Sequence, residues 1–150
     1  MGTGITYQCA KCGYKKAFYT GIGFGLREEY KKLVYKIRNG AFGEEWKQYF
    51  ETHPGAAINA DRELYRCPSC NHLAVENNLA LYEHNNELPP EQGYWMKTDN
   101  TVKEYKFIKS RSHKCQRCRK RMHILHDYYR PYPCPECGSD LKPVNLLLWD

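Results

Sequence analysis

Apolar side chains recur with a helical period in one part of this chain and alternate in most of the rest. Within Arg27–Asn39, Tyr30, Leu33, Val34 and Ile37 stand at i, i+3, i+4 and i+7, the spacing that lines one face of an α-helix. Acidic residues lead this segment and basic residues trail it, which suits the helix dipole. Asn39-Gly40 supplies a stop. A second, shorter helix is predicted over Glu44–Glu51, with Trp46, Tyr49 and Phe50 inward and His53-Pro54 closing it. The aromatics of this 27–51 segment are expected to pack as core.

Elsewhere the pattern is that of short strands. Ile5 and Tyr7 alternate toward Cys9, and a returning strand is expected over Lys16–Thr20. Asp61–Arg66 reads as a strand leading to Cys67. Leu73, Val75, Leu79, Leu81 and Tyr82 read as returning strand material, interrupted at Asn77-Asn78. Thr101–Ile108 and Met122–Leu125 are further strands. Leu141–Trp149, rich in Val144, Leu146, Leu147 and Leu148, is expected to pair back into the core. Between them, Glu83–Tyr94 is polar, with Pro89-Pro90 and Gly93, and has the composition of a linker.

The strands frame eight cysteines, all in Cys-x-x-Cys pairs: Cys9/Cys12, Cys67/Cys70, Cys115/Cys118 and Cys134/Cys137. Two thiolates on one tight turn make half of a tetrahedral site, so four turns make two Cys₄ centres and imply two Zn²⁺ per chain. Fifteen residues separate the third pair from the fourth, a spacing that matches zinc sites directly. With the polar linker, it favours consecutive pairing: Cys9, Cys12, Cys67 and Cys70 on one ion, Cys115, Cys118, Cys134 and Cys137 on the other. A cross-brace, first pair with third and second with fourth, is the alternative. The expected fold is a small metal-stabilised α+β chain of two zinc ribbons, each a short antiparallel sheet. The first ribbon, 1–82, carries the helical insertion; 83–100 is the linker and 101–150 the second ribbon.

Composition supports a structural role for metal. Apolar residues make up 41% of the 150, but thirteen of these are tyrosines. The aliphatic core is thin, and each structural zinc can add roughly 10 kcal/mol or more to folding. Paired cysteines with no apolar leader in residues 1–20 fit a reducing, cytoplasmic setting. The longest apolar run, Leu146–Trp149, is too short for a membrane helix. The formal charge is +6, but two Zn(Cys)₄ centres lower it by about 4, to about +2. The basic excess therefore partly balances thiolate charge. The string Gly21-Ile-Gly-Phe-Gly25 lacks the preceding buried strand that a phosphate-binding loop needs and reads as a tight connection.

Tyr7-Gln-Cys-Ala-Lys-Cys-Gly-Tyr14 and Pro133-Cys-Pro-Glu-Cys-Gly138 resemble the knuckles of zinc ribbons and of rubredoxin. With Gly21–Phe24, the helical insertion, Cys67-Pro-Ser-Cys70 and the closing Trp149-Asp150, the chain resembles small bacterial tandem zinc-ribbon proteins with no assigned activity. The resemblance implies fold and metal and is silent on partners. Asn71 and Arg119 stand where such knuckles usually carry glycine, a departure that favours zinc over a tuned redox iron.

Three functions follow. A protein-interaction or adaptor module would use the rigid hairpins and the Tyr-rich 27–51 segment. A nucleic-acid-binding ribbon would use the stretch Tyr105–His126, which has no acidic residue and holds Lys106, Lys109, Arg111, Lys114, Arg117, Arg119, Lys120 and Arg121. A rubredoxin-like iron electron carrier ranks below both. Eight cysteines for eight positions leave no open coordination site, and no nucleophile–base arrangement stands out, so no enzyme is expected. A protein partner is expected, nucleic acid is the alternative, and a membrane role is not.

Overall fold

Residues 2–22, 25–85 and 104–149 are described in the structure, a computed structural model. In chain order the elements are β1 (Gly2–Cys9), β2 (Lys15–Gly21), α1 (Leu26–Arg38), α2 (Glu44–Thr52), β3 (Ala56–Ile58), β4 (Arg62–Arg66), β5 (Leu73–Asn77), β6 (Leu81–His84), β7 (Tyr105–Lys109), β8 (His113–Lys114), β9 (Arg121–Ile124), β10 (Tyr132–Pro133) and β11 (Asp140–Trp149). They form two units, each assembled from separated stretches. Unit 1 comprises Met1–Gly23, Asp61–Asn77 and Ser112–Asp150; unit 2 comprises Phe24–Ala60 and Asn78–Arg111.

In unit 2, both predicted helices form within a residue or so of their expected bounds. The inward stripe of α1, Tyr30, Leu33, Val34 and Ile37, is buried, as are Trp46 and Phe50 of α2. Gly40 takes a φ of 79°, and the amides of Gly40 and Ala41 donate back to the carbonyls of Ile37 and Lys36, which ends α1 as the sequence predicts. The helices accompany a three-stranded antiparallel sheet in the order β3-β6-β7. Tyr30 Oη accepts the Ile58 amide at 3.2 Å, and Trp46 Nε1 donates to the Leu79 carbonyl at 2.8 Å. Leu79 is buried with a φ of 60°, an unfavourable conformation for a branched side chain. The Trp46 bond and the Leu79 amide, which donates to the Asn59 carbonyl at 2.8 Å, hold it there.

Unit 1 contains two four-stranded antiparallel sheets, ordered β10-β11-β1-β2 and β5-β4-β9-β8. Between them, Ile5, Tyr7, Phe18, Leu64, Leu73, Leu125 and Leu141 form one buried cluster. On the opposite face of β1, Gly2 lies under Trp149 and Gly4 under Leu147; a Cβ at either position would overlap those side chains. Glycine here lets a large residue of β11 lie flat over its partner strand.

The expected sequential ribbons are not what unit 1 contains. β11 pairs with all eight residues of β1, from Cys9↔Leu141 to Gly2↔Trp149, with a bulge near Val144, but with only two residues of β10. The long ladder, with Ile5, Tyr7 and Leu141 in one core, outweighs the short β10–β11 hairpin that frames the fourth knuckle. β6, expected to return to the first ribbon, pairs instead with β3 and β7 in unit 2. The expected linker 83–100 thus starts inside β6. Residues 86–100, including Trp95 and Met96, lie outside the described residues, as do Gly23, Phe24, residues 101–103 and Asp150.

Candidate metal centres

Each Cys-x-x-Cys turn is built the same way. The amide of the residue after the second cysteine donates to the carbonyl of the first: Gly13 to Cys9 (3.0 Å), Asn71 to Cys67 (2.8 Å), Arg119 to Cys115 (2.8 Å) and Gly138 to Cys134 (2.9 Å). The first cysteine's amide donates to the carbonyl five residues on, at Tyr14, His72, Lys120 and Ser139. The turn needs a left-handed residue after its second cysteine, and all four positions have one, with φ of 80° at Gly13, 65° at Asn71, 66° at Arg119 and 76° at Gly138. Glycine reaches this conformation freely and asparagine at small cost. Arg119 occupies it with no such advantage. The first cysteine of each pair is buried at a strand end, while the second is half-buried or exposed at the loop.

The knuckles assemble in a nested order. Cys9, Cys12, Cys134 and Cys137 form one quartet, and Cys67, Cys70, Cys115 and Cys118 the other, with all four Sγ atoms of each within 4.8 Å of one another. Neither the consecutive pairing nor the cross-brace is present. The cause is the ladder already described. β1 delivers Cys9 beside Leu141, bringing the first knuckle to the fourth. β4 pairs with β9, Arg66 opposite His123, bringing the second to the third.

Sγ separations are 3.5 Å for Cys9–Cys137, 3.6 Å for Cys12–Cys134, 3.4 Å for Cys67–Cys118 and 3.6 Å for Cys70–Cys115. A disulfide would need about 2.05 Å. A tetrahedron with metal–sulfur bonds near 2.3 Å has edges of about 3.8 Å, so both quartets have the dimensions of a closed four-sulfur site. Amides support the ligands: Arg117 N–H points at Cys115 Sγ and Glu136 N–H at Cys134 Sγ, each at 3.4 Å.

The four thiols of each quartet shift one another's ionisation. The Ser139 amide leads in drawing Cys137 down to about 6, opposed by burial and helped by the Ser139 hydroxyl and by Cys9 and Cys12. Burial raises Cys67, but the Cys70 and Ser69 amides and neighbouring thiols outweigh it and bring it to about 7. Cys12 receives a favourable Tyr14 amide, yet burial and the three other thiols push it up to about 12. Cys70 receives the corresponding His72 amide and is still pushed up to about 11 by burial and its three neighbours. Thiols this close oppose one another's ionisation within each quartet. A divalent ion with thiolate ligands removes that conflict.

The basic stretch is divided between the two units. Lys106, Lys109 and Arg111 belong to unit 2. Lys109 pairs with Glu45 at 2.6 Å. Arg111 donates to the Phe42 carbonyl and lies over the rings of Phe42 and Trp46, 5.5 and 5.3 Å from their centroids. Lys114, Arg117, Arg119, Lys120 and Arg121 belong to unit 1 and surround the third knuckle. No protein-family model, curated protein or solved structure matches the chain. Among the basic residues, Arg117 has a place that the sequence did not signal. Its Nη1 donates to the Pro135 carbonyl at 3.3 Å, tying the third knuckle to the fourth and so one quartet to the other. His113, within the same stretch, is buried against Tyr65 with ring centroids 4.3 Å apart. No described helix is long and apolar enough to cross a membrane.

Proposed function

We propose that the chain is a non-enzymatic zinc protein whose two Cys₄ centres are structural, and that it works as a protein-interaction or adaptor module. Four thiolates per ion favour zinc or iron, and closed sites with left-handed Asn71 and Arg119 in place of knuckle glycines favour zinc. The interaction role rests on one observation. Val144, Leu146, Leu147 and Leu148 are 53%, 37%, 43% and 71% exposed within one five-residue stretch of β11. β10 covers only Asp140 and Leu141; among the described residues, Lys142–Trp149 has no strand partner on that edge. Contiguous apolar side chains on an open edge are a recognised form of protein-contact surface.

The test is purification from the source cell of the wild-type protein and the L146K/L148K double variant, both carrying two zinc ions. The interaction reading expects a protein that accompanies the wild type in stoichiometric amount and is lost from the variant. The same protein on both, or none on either, contradicts it. A nucleic-acid role has a narrower basis in the exposed Lys114, Arg119, Lys120 and Arg121 at the third knuckle. It expects a salt-sensitive gel shift abolished by the R119E/K120E/R121E variant. Arg117 stays unaltered in that test because it holds two knuckles together.

A further inference from the structure

Two sheet edges in unit 1 open on the same groove. Cys9 donates to the Tyr14 carbonyl, which makes Cys9/Tyr14 a hydrogen-bonded pair. Along the β1–β2 register, Tyr7/Lys16, Ile5/Phe18 and Thr3/Thr20 are then hydrogen-bonded pairs too. The intervening Ala17 and Tyr19 must direct both N–H and C=O away from β1. Gly21, in the same phase, does so: its carbonyl accepts Arg62 Nε at 3.1 Å. The same reasoning applies to β5. Cys67 donates to the His72 carbonyl, so the register turns the backbone groups of Leu73 and Val75 away from β4. Ala17, Tyr19, Leu73 and Val75 all line one groove of about 560 Å³. Among the described residues, no strand pairs with either edge.

The rim has a sign. Lys16 and Arg62 stand around the groove, against Glu76 alone among its acidic lining residues. We propose that this groove binds an extended acidic peptide, which adds as a strand to the β2 edge at Ala17 and Tyr19 while its carboxylates meet Lys16 and Arg62. Half of the unpaired backbone groups are carbonyls, which pair with peptide amides and have nothing to offer a phosphate chain. The proposal deepens the protein-interaction reading and rests on it. It uses a different strand from β11, so failure at the groove leaves the L146K/L148K result standing.

The experiment is fluorescence anisotropy with the zinc-loaded full chain and three labelled probes: a (Glu-Val)₆ peptide, a (Lys-Val)₆ peptide and a fifteen-residue oligothymidylate. Saturable binding of (Glu-Val)₆ alone is expected. Ala17→Pro removes one outward N–H and leaves the β1 ladder intact. It should weaken binding at least tenfold, as should Lys16→Glu, whereas Arg121→Glu should not. A (Glu-Val)₆ peptide with alternate amides N-methylated tests the same hydrogen bonds without altering the protein and should bind at least tenfold more weakly. No saturable binding of (Glu-Val)₆, equal binding of its methylated form, or stronger binding of the oligothymidylate would overturn the proposal.

Discussion

Units 1 and 2 reach order by different means within one polypeptide. Unit 2 contains no cysteine and is held by helix faces and strands packing Tyr30, Val34, Ile37, Trp46, Phe50, Ile58 and Leu81. Unit 1 contains all eight cysteines, and its first cysteines, Cys9, Cys67, Cys115 and Cys134, are themselves members of its buried clusters. In the second cluster the fully covered partners are only Tyr65 and Met122. Burial on that face of the β5-β4-β9-β8 sheet is slight, while its other face adds Leu64 and Leu73 to the larger cluster. The difference teaches where a metal is needed: at strand ends too short to bury one another, and not in the segment that has helices to bring.

Chelation should separate the units most strongly. Stripping metal with a strong chelator removes roughly 10 kcal/mol or more per ion from unit 1. Its sheet signal is expected to disappear while helical ellipticity near 222 nm persists. Loss of both signals in one transition would merge the units into one cooperative body. The converse change is Ile37→Ala, which opens a cavity in unit 2 and should cost about 2–5 kcal/mol. Zinc content should stay at two per chain. A loss of metal in this variant would mean that the apolar unit supports the quartets.

Two smaller effects belong to unit 1. Burial holds the Tyr7 and Tyr65 phenols well above their ordinary pKa, with Tyr132 and Tyr128 adding at Tyr7 and Glu63 and Glu76 adding at Tyr65. A proton held more tightly in the fold contributes stability that is fully present below the unfolded value near 10 and is lost as pH rises through the folded value. Melting temperature should therefore fall above about pH 10, with tyrosinate absorbance from these rings appearing only as unit 1 opens; normal titration of every tyrosine in the folded state would contradict this. Arg119→Gly relieves a left-handed arginine and should stabilise the third knuckle by about 1 kcal/mol, whereas Arg119→Ala should not.

The helices and the ligands were legible in the sequence because both are local patterns. The i, i+3, i+4, i+7 stripe of α1 needs no partner to be recognised, and neither does a Cys-x-x-Cys turn. The pairing of knuckles was not local. It depends on Cys9 lying opposite Leu141 across a strand ladder that spans nearly the whole chain. The signals for that ladder were Gly2 and Gly4, whose missing side chains admit Trp149 and Leu147. Glycines near a strand start are more readily read as loops. The basic run at 106–121 looked continuous because sequence distance hides the boundary at Arg111 and Ser112, where it passes from unit 2 to unit 1. Arg117's bond to Pro135 joins knuckles eighteen residues apart, and nothing in residue type distinguished it from its neighbours.

The nested pairing is tested most directly by ¹¹³Cd-substituted protein, correlating each metal resonance with the cysteine β-protons that ligate it. One cadmium should couple to Cys9, Cys12, Cys134 and Cys137, and the other to Cys67, Cys70, Cys115 and Cys118. A resonance that couples Cys9 and Cys12 to Cys67 and Cys70, or to Cys115 and Cys118, would contradict it.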